Sequence, residues 1–193
     1  MNLRTLSGAL LGASVLLLLV LQVLPWAHVQ APTTTVPGFS SPYFSQPSHT
    51  VGGGTGTATT WNMRWTTPNG ASSDKGWYSD DMTDGNGDHT DVYLLRTAIP
   101  ILLAGAALGL AAALTALLTR GALGPVLGLV AALLLIVGTV LFANGVDEFF
   151  DGTSYTWLPG FYVAIAGCAL ALAGGVVGLA GRQAEPMRSG TAA

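Results

Sequence analysis

Residues 97–143 read TAIPILLAGAALGLAAALTALLTRGALGPVLGLVAALLLIVGTVLFA, with one charged residue, Arg120, between two long apolar runs. Roughly 20 apolar residues in a helix span about 30 Å of hydrocarbon, so the stretch is long enough to cross a bilayer twice. The segment Thr119-Arg120-Gly121-Ala122-Leu123-Gly124-Pro125 between the runs is short, which makes the two helices antiparallel neighbours. Pro125 suits the first turn of the second helix, where a missing amide costs little. Two further apolar stretches flank this pair, over about 6–26 and 157–181, and none of the four contains Asp, Glu, Lys or Arg. Helices are the expected form, because lipid offers no partner to an unpaired backbone amide.

Composition agrees. Of 193 residues, 50% are hydrophobic and 9% charged, against about 25% charged in soluble domains. A net charge of -3 without a basic patch argues against a nucleic-acid partner. The first apolar stretch, with Asn2 and Arg4 before it and Val29-Gln30-Ala31 after it, also has the outline of a signal peptide. Its length favours a retained helix, since a signal core is about 7–15 residues. Arg4, Arg120, Arg182 and Arg188 fall on one side of the four spans. Arg64, Lys75 and Arg96 are spread through a long loop on the other, with nine of the ten acidic residues. Cationic loops stay inside, which places both termini in the cytoplasm.

The resulting division is a first membrane helix within 1–28, an extracellular loop over 29–95, and helices within 96–119 and 120–143. A short outer loop over 144–156, a fourth helix within 157–181 and a cytoplasmic tail from 182 complete it. The fold class is an all-α four-helix transmembrane bundle with a small extracellular antiparallel sheet. Helices in lipid associate through close backbone approach, and Gly8/Gly12, Gly105/Gly109, Gly124/Gly128 and Gly174/Gly178 each set small residues on one face.

In the first outer loop, 31–54 is rich in Pro, Ser, Thr and Gly and reads as irregular chain. Residues 55–67 alternate and favour a strand, Pro68-Asn69-Gly70 is a turn, and a second strand is expected near Lys75–Tyr78. The second outer loop carries Phe149, Phe150 and Tyr155, which fit an interfacial aromatic belt or a partner contact. Asp84, Asn86 and Asp88 have the alternate spacing that opens a calcium loop, which makes weak Ca²⁺ binding the alternative there to an ordinary solvated acidic loop. His89 and Leu95 stand where such a loop needs Gly and Glu. His28, His49 and His89 lack ligand-like spacing, and Cys168 is a packing residue. There is no nucleophile beside a base, no phosphate-binding glycine loop and no ionisable residue within a span, which points away from an enzyme or an energised pump.

The layout resembles the claudin-type four-helix proteins. Leu24-Pro25-Trp26-Ala27-His28-Val29 is similar to the claudin segment closing helix 1. Trp61 or Trp65 stands in the place of the loop tryptophan, and Arg96 in that of the arginine before helix 2. The paired loop cysteines of that family are absent here. The resemblance implies the architecture and contact with other membrane proteins. The expected function is therefore non-catalytic: an accessory, scaffold or adhesion protein that meets lipids and another membrane protein or its own copies. Trp61, Trp65 and Trp77 are the expected contact residues. A passive channel is the alternative.

Overall fold

The computed structural model describes residues 2–41, 44–79, 90–119, 121–149 and 154–183. It contains four long helices: α1 (Leu3–Leu21), α2 (Thr90–Leu118), α3 (Leu123–Phe149) and α4 (Pro159–Gln183). All four are long and apolar enough to cross a membrane. Their outward faces are apolar as well: Leu16, Leu19, Leu110, Leu133, Val140 and Leu172 are all exposed. So much bare leucine and valine is foreign to a water-facing surface. The chain is a multi-pass membrane protein.

The helices run alternately up and down, each packing on its sequence neighbours, with α4 closing back onto α1. Leucines fit against glycines in this packing. On α4, Gly160, Gly167, Gly174 and Gly181 recur every seventh residue. Cβ atoms added to them would lie 2.5 Å from the Pro25 oxygen, 3.5 Å from Leu18, 2.8 Å from Leu11 and 2.8 Å from Leu3. Between α2 and α3 the arrangement is reciprocal: Gly138 receives Leu102, Gly145 receives Leu95 and Gly105 receives Leu135, each at 2.8–2.9 Å. A seven-residue period keeps a contact seam facing its partner only when helices cross at a shallow left-handed angle. The four-residue pairs divide differently from the sequence expectation. Gly105 meets α3 and Gly109 meets α1, and nothing approaches Gly12 within 4 Å.

Two serines set the register of α1 on α4. Ser7 donates to the Gly174 carbonyl at 2.7 Å and Ser14 to the Gly167 carbonyl at 2.8 Å, both buried. Interhelical hydroxyl bonds in lipid contribute only about 0.6 kcal/mol each. Packing therefore holds the helices together, and the serines select their alignment. At the end away from the sheet, Arg4 donates to the Ala116 and Leu117 carbonyls at 2.9 and 2.5 Å. It covers acceptors that the last turn of α2 leaves open, where a cation also favours the helix dipole.

The other end carries a five-stranded antiparallel sheet in the order β6-β5-β4-β1-β7. Its strands are β1 (Ala27–Val36), β4 (His49–Ala58), β5 (Asn62–Thr66), β6 (Ser72–Gly76) and β7 (Ser154–Trp157), with a small hairpin, β2 (Phe39–Ser41) and β3 (Phe44–Gln46), between β1 and β4. The sequence expectation of irregular chain over 31–54 is overturned, since β1 and β4 pair from Ala27–Ala58 out to Val36–His49. Pairing with a distant strand overrides the local turn residues, and the ladder skips only the Pro32–Gly53 pair. α1 ends at Leu21 rather than near 26, and α3 runs on to Phe149, past the expected 143.

The inner face of the sheet and the bundle share one core. Trp26, Ala27, Val29, Ala58 and Trp77 pack with Leu21, Leu95, Phe142 and Val146. Trp26 tilts over Phe142 at 4.3 Å, and its indole donates to Thr60 at 3.0 Å.

A second tie follows from Pro100 inside α2. Proline has no amide hydrogen, so the carbonyl four residues earlier loses its helical donor. That carbonyl belongs to Arg96, and the Tyr78 hydroxyl donates to it at 2.9 Å. The Arg96 side chain in turn donates to the Trp77 and Ser79 carbonyls at 2.7 and 2.9 Å. Removing the hydroxyl with Tyr78→Phe should cost about 1 kcal/mol. In a Pro100→Ala background, where residue 100 regains its amide, the same change should cost close to nothing. A double-mutant cycle of denaturant unfolding in detergent measures the difference, and equal costs in both backgrounds would refute the compensation.

Candidate functional site

Strand alternation sends Ala27 and Val29 of β1 into the core and turns His28 and Gln30 to the opposite, outer face. Antiparallel register then builds rows across that face. One row is Thr156–His28–Thr57–Arg64–Asp74, and the next is Ser154–Gln30–Thr55–Thr66–Ser72. Arg64 and Asp74 pair at 3.4 Å with side chains 70% and 44% exposed. Exposed pairs of this kind contribute little stability. Asp74 also accepts from the Asn62 amide at 2.5 Å.

The three expected contact tryptophans have separate fates. Trp77 is fully buried. Its indole donates to the Thr59 carbonyl at 2.9 Å, and it meets Phe142 and Phe149 edge-on at 6.4 and 5.9 Å. It is a core residue, closed to a partner. Trp65 lies on the inner face over Gly54 and Gly56, where an added Cβ would come within 3.0 and 2.7 Å of the indole. Only Trp61, in the turn between β4 and β5, shows a large exposed surface, at 43%.

Asp84, Asn86, Asp88 and His89 lie outside the described residues. His28 sits half-buried in the middle of the outer face, while His49 opens β4 opposite Val36. Eight residues of strand separate His28 from Val36, roughly 26 Å at 3.3 Å per residue, so His28 and His49 cannot share a metal. Among the described residues no three His, Cys, Asp or Glu form a metal-binding group. Cys168 is buried between α4 and α3, with its sulfur 3.7 Å from the Thr139 hydroxyl.

The expected aromatic belt is built differently from its sequence outline. Phe149 turns inward onto Trp77. Tyr155 and Trp157 meet edge-on at 5.3 Å, Trp157 stacks on Phe161 at 4.2 Å, and Phe161 leads to the exposed Tyr162. Across the sheet, Tyr78 and Tyr93 are exposed near the start of α2. Rings on both flanks at the helix mouths suit the membrane–water boundary.

Sequence reasoning missed the row through Gln30, Thr55 and Thr66, the role of Tyr78, and β7 altogether. A proline within an apolar helix is a readable signal that a carbonyl needs a donor, though not of which residue supplies it. No family model matches this chain, and no curated protein does.

The Tyr155 hydroxyl donates to Asp147 at 2.6 Å, tying β7 to the last turn of α3. This hydrogen bond chiefly, with burial and the carboxylate charge, raises the phenol above its ordinary range. A phenol raised in the folded state stabilises fully below its unfolded value, and that contribution is lost as pH climbs through the folded one. Alkaline titration followed by phenolate absorbance should therefore show one late-ionising tyrosine. Asp147→Asn should move it back toward the ordinary range, and an unchanged profile would disprove the coupling.

Proposed function

We propose that this protein acts by contact, as a non-catalytic accessory, scaffold or adhesion protein of claudin-like four-helix architecture. The sheet stands outside the cell and both termini in the cytoplasm. Its partner is another membrane protein, met by the outer face of the sheet with Trp61 as anchor. The observation that carries this reading is the exposed indole of Trp61 on a sheet whose outer rows are polar. Tryptophan is enriched among interface hot spots.

Two features support it over the alternatives. Inside the bundle, Leu11 is fully buried, and it stands where Cβ atoms on Gly128 of α3 and Gly174 of α4 would fall, at 2.9 and 2.8 Å. That crossing closes the middle of the bundle, which disfavours a passive pore. His28 has threonines opposite it on both neighbouring strands, and the nearest carboxylate in its row, Asp74, is three strands away. Among the described residues, therefore, that row sets no carboxylate beside His28 to orient it as a base. The sidedness is supported by Arg4, which stands at the end of the bundle away from the sheet, since cationic ends stay inside.

Trp61→Ala should weaken capture of the partner by about thirtyfold, the loss of roughly 2 kcal/mol typical of a hot spot, with the melting temperature unchanged. Photo-crosslinking from position 61 in living cells, followed by quantitative recovery, measures this. A membrane-impermeant maleimide should label Trp61→Cys but not Ser189→Cys in intact cells, with the buried Cys168 giving little background. The reverse labelling would overturn the orientation, and no specific crosslink from position 61 would overturn the contact.

A further inference from the structure

Where β5 and β7 end, β1 and β4 run on as a two-stranded ribbon, and the ladder is interrupted at Pro32 and Gly53. Gly53 and Gly54 hold positive φ values of 78° and 123° there, a conformation that side chains strain to adopt. At this break the outer face holds a cleft of about 640 Å³, within the range of small-molecule sites. The row Ser154–Gln30–Thr55–Thr66 crosses it, with Thr33 beyond and the Thr67–Pro68 turn forming one wall.

The chemistry of the lining is narrow. Among the described residues no charged side chain lines the cleft. Ser154 is committed to the Gln30 carbonyl at 3.3 Å and Thr67 to the Ala71 carbonyl at 2.9 Å. The side chains of Gln30, Thr33, Thr55 and Thr66 make no hydrogen bond to any described residue. They therefore offer amide and hydroxyl groups that both donate and accept, beside threonine methyls. A charged ligand would find no counter-ion here, and a purely apolar one would leave these groups unpaired.

Spacing narrows the ligand further. Residues opposite one another on neighbouring strands repeat about every 4.8 Å, close to the advance per ring of an extended hexose chain. We infer that this cleft is a binding site for an uncharged, extended oligosaccharide, its hydroxyls read by Gln30, Thr55 and Thr66 and its ring faces resting on the methyl groups. The site shares the outer face of the sheet with the proposed partner contact but lies apart from its anchor, Trp61, and does not depend on that contact.

The purified full-length protein in nanodiscs should bind cellohexaose saturably and a galacturonic acid hexamer of the same length far more weakly. The Thr55→Val/Thr66→Val pair keeps shape and removes both hydroxyls, and it should weaken binding about tenfold or more with unchanged melting. Should that pair fail to fold, Gln30→Glu at the exposed rim gives the second measurement, with the same loss expected. Trp61→Ala should bind the sugar as the native protein does, which separates sugar binding from the Trp61 contact. No saturable cellohexaose binding, equal binding of the charged hexamer, or undiminished affinity in the variants would each overturn the assignment.

Discussion

Leucine gains nothing by leaving lipid for a protein interior that is equally apolar, and the architecture of this chain answers that constraint. Between helices only contact remains, and contact is densest where a leucine meets a residue with no side chain. Every helix pair that packs closely here uses such a meeting, repeated at seven-residue intervals between α1 and α4 and between α2 and α3, and single at Gly8–Leu117 and Gly175–Leu129. A larger side chain at Gly174 would strike Leu11 and separate α1 from α4. Leu11 also reaches Gly128 of α3, so the disturbance would cross the bundle.

The rigidity of the bundle extends into the sheet because the two share side chains. Trp26 and Trp77 stand on the sheet side, Phe142 and Phe149 on the helix side, and they interlock without a gap. Around this cluster the polar groups are spent on structure: Thr60 on Trp26, Arg96 on two carbonyls of the chain leaving β6, and Tyr78 on the acceptor freed by Pro100. The sheet is thus a platform held from beneath, with its outer face left uncovered by the helices. A chain without loop cysteines needs some other way to fix that platform, and buried aromatic rings with proline-matched hydrogen bonding provide it.

How much of this was legible in the sequence depends on the distance over which each feature is decided. The helices were visible because hydropathy is a local property. The strand over 55–67 was partly visible for the same reason, although it divides into the end of β4 and all of β5. The ribbon over 31–36 and 49–54 was hidden, because its prolines and glycines are turn residues until a distant partner strand is supplied. Trp61 and Trp77 look alike in sequence, yet one is exposed and the other fully buried, since burial depends on Phe142 and Phe149 from another helix. Glycines at 160, 167, 174 and 181 form a seven-residue repeat that is legible in the sequence, overlapped at Gly174 by the four-residue pair with Gly178.

Strand β1 follows α1 after a short turn, and its outer neighbour β7 lies immediately before α4. Gln30 and Ser154, which face each other across that pairing, are 124 residues apart in the chain. During synthesis β1 therefore waits with one edge bare while two complete helices pass into the membrane. Closing so long a loop early would be slow and would gain little. The last strand and the last helix arrive as one piece, so completion of the sheet and seating of the fourth span on the first form a single concluding step of maturation.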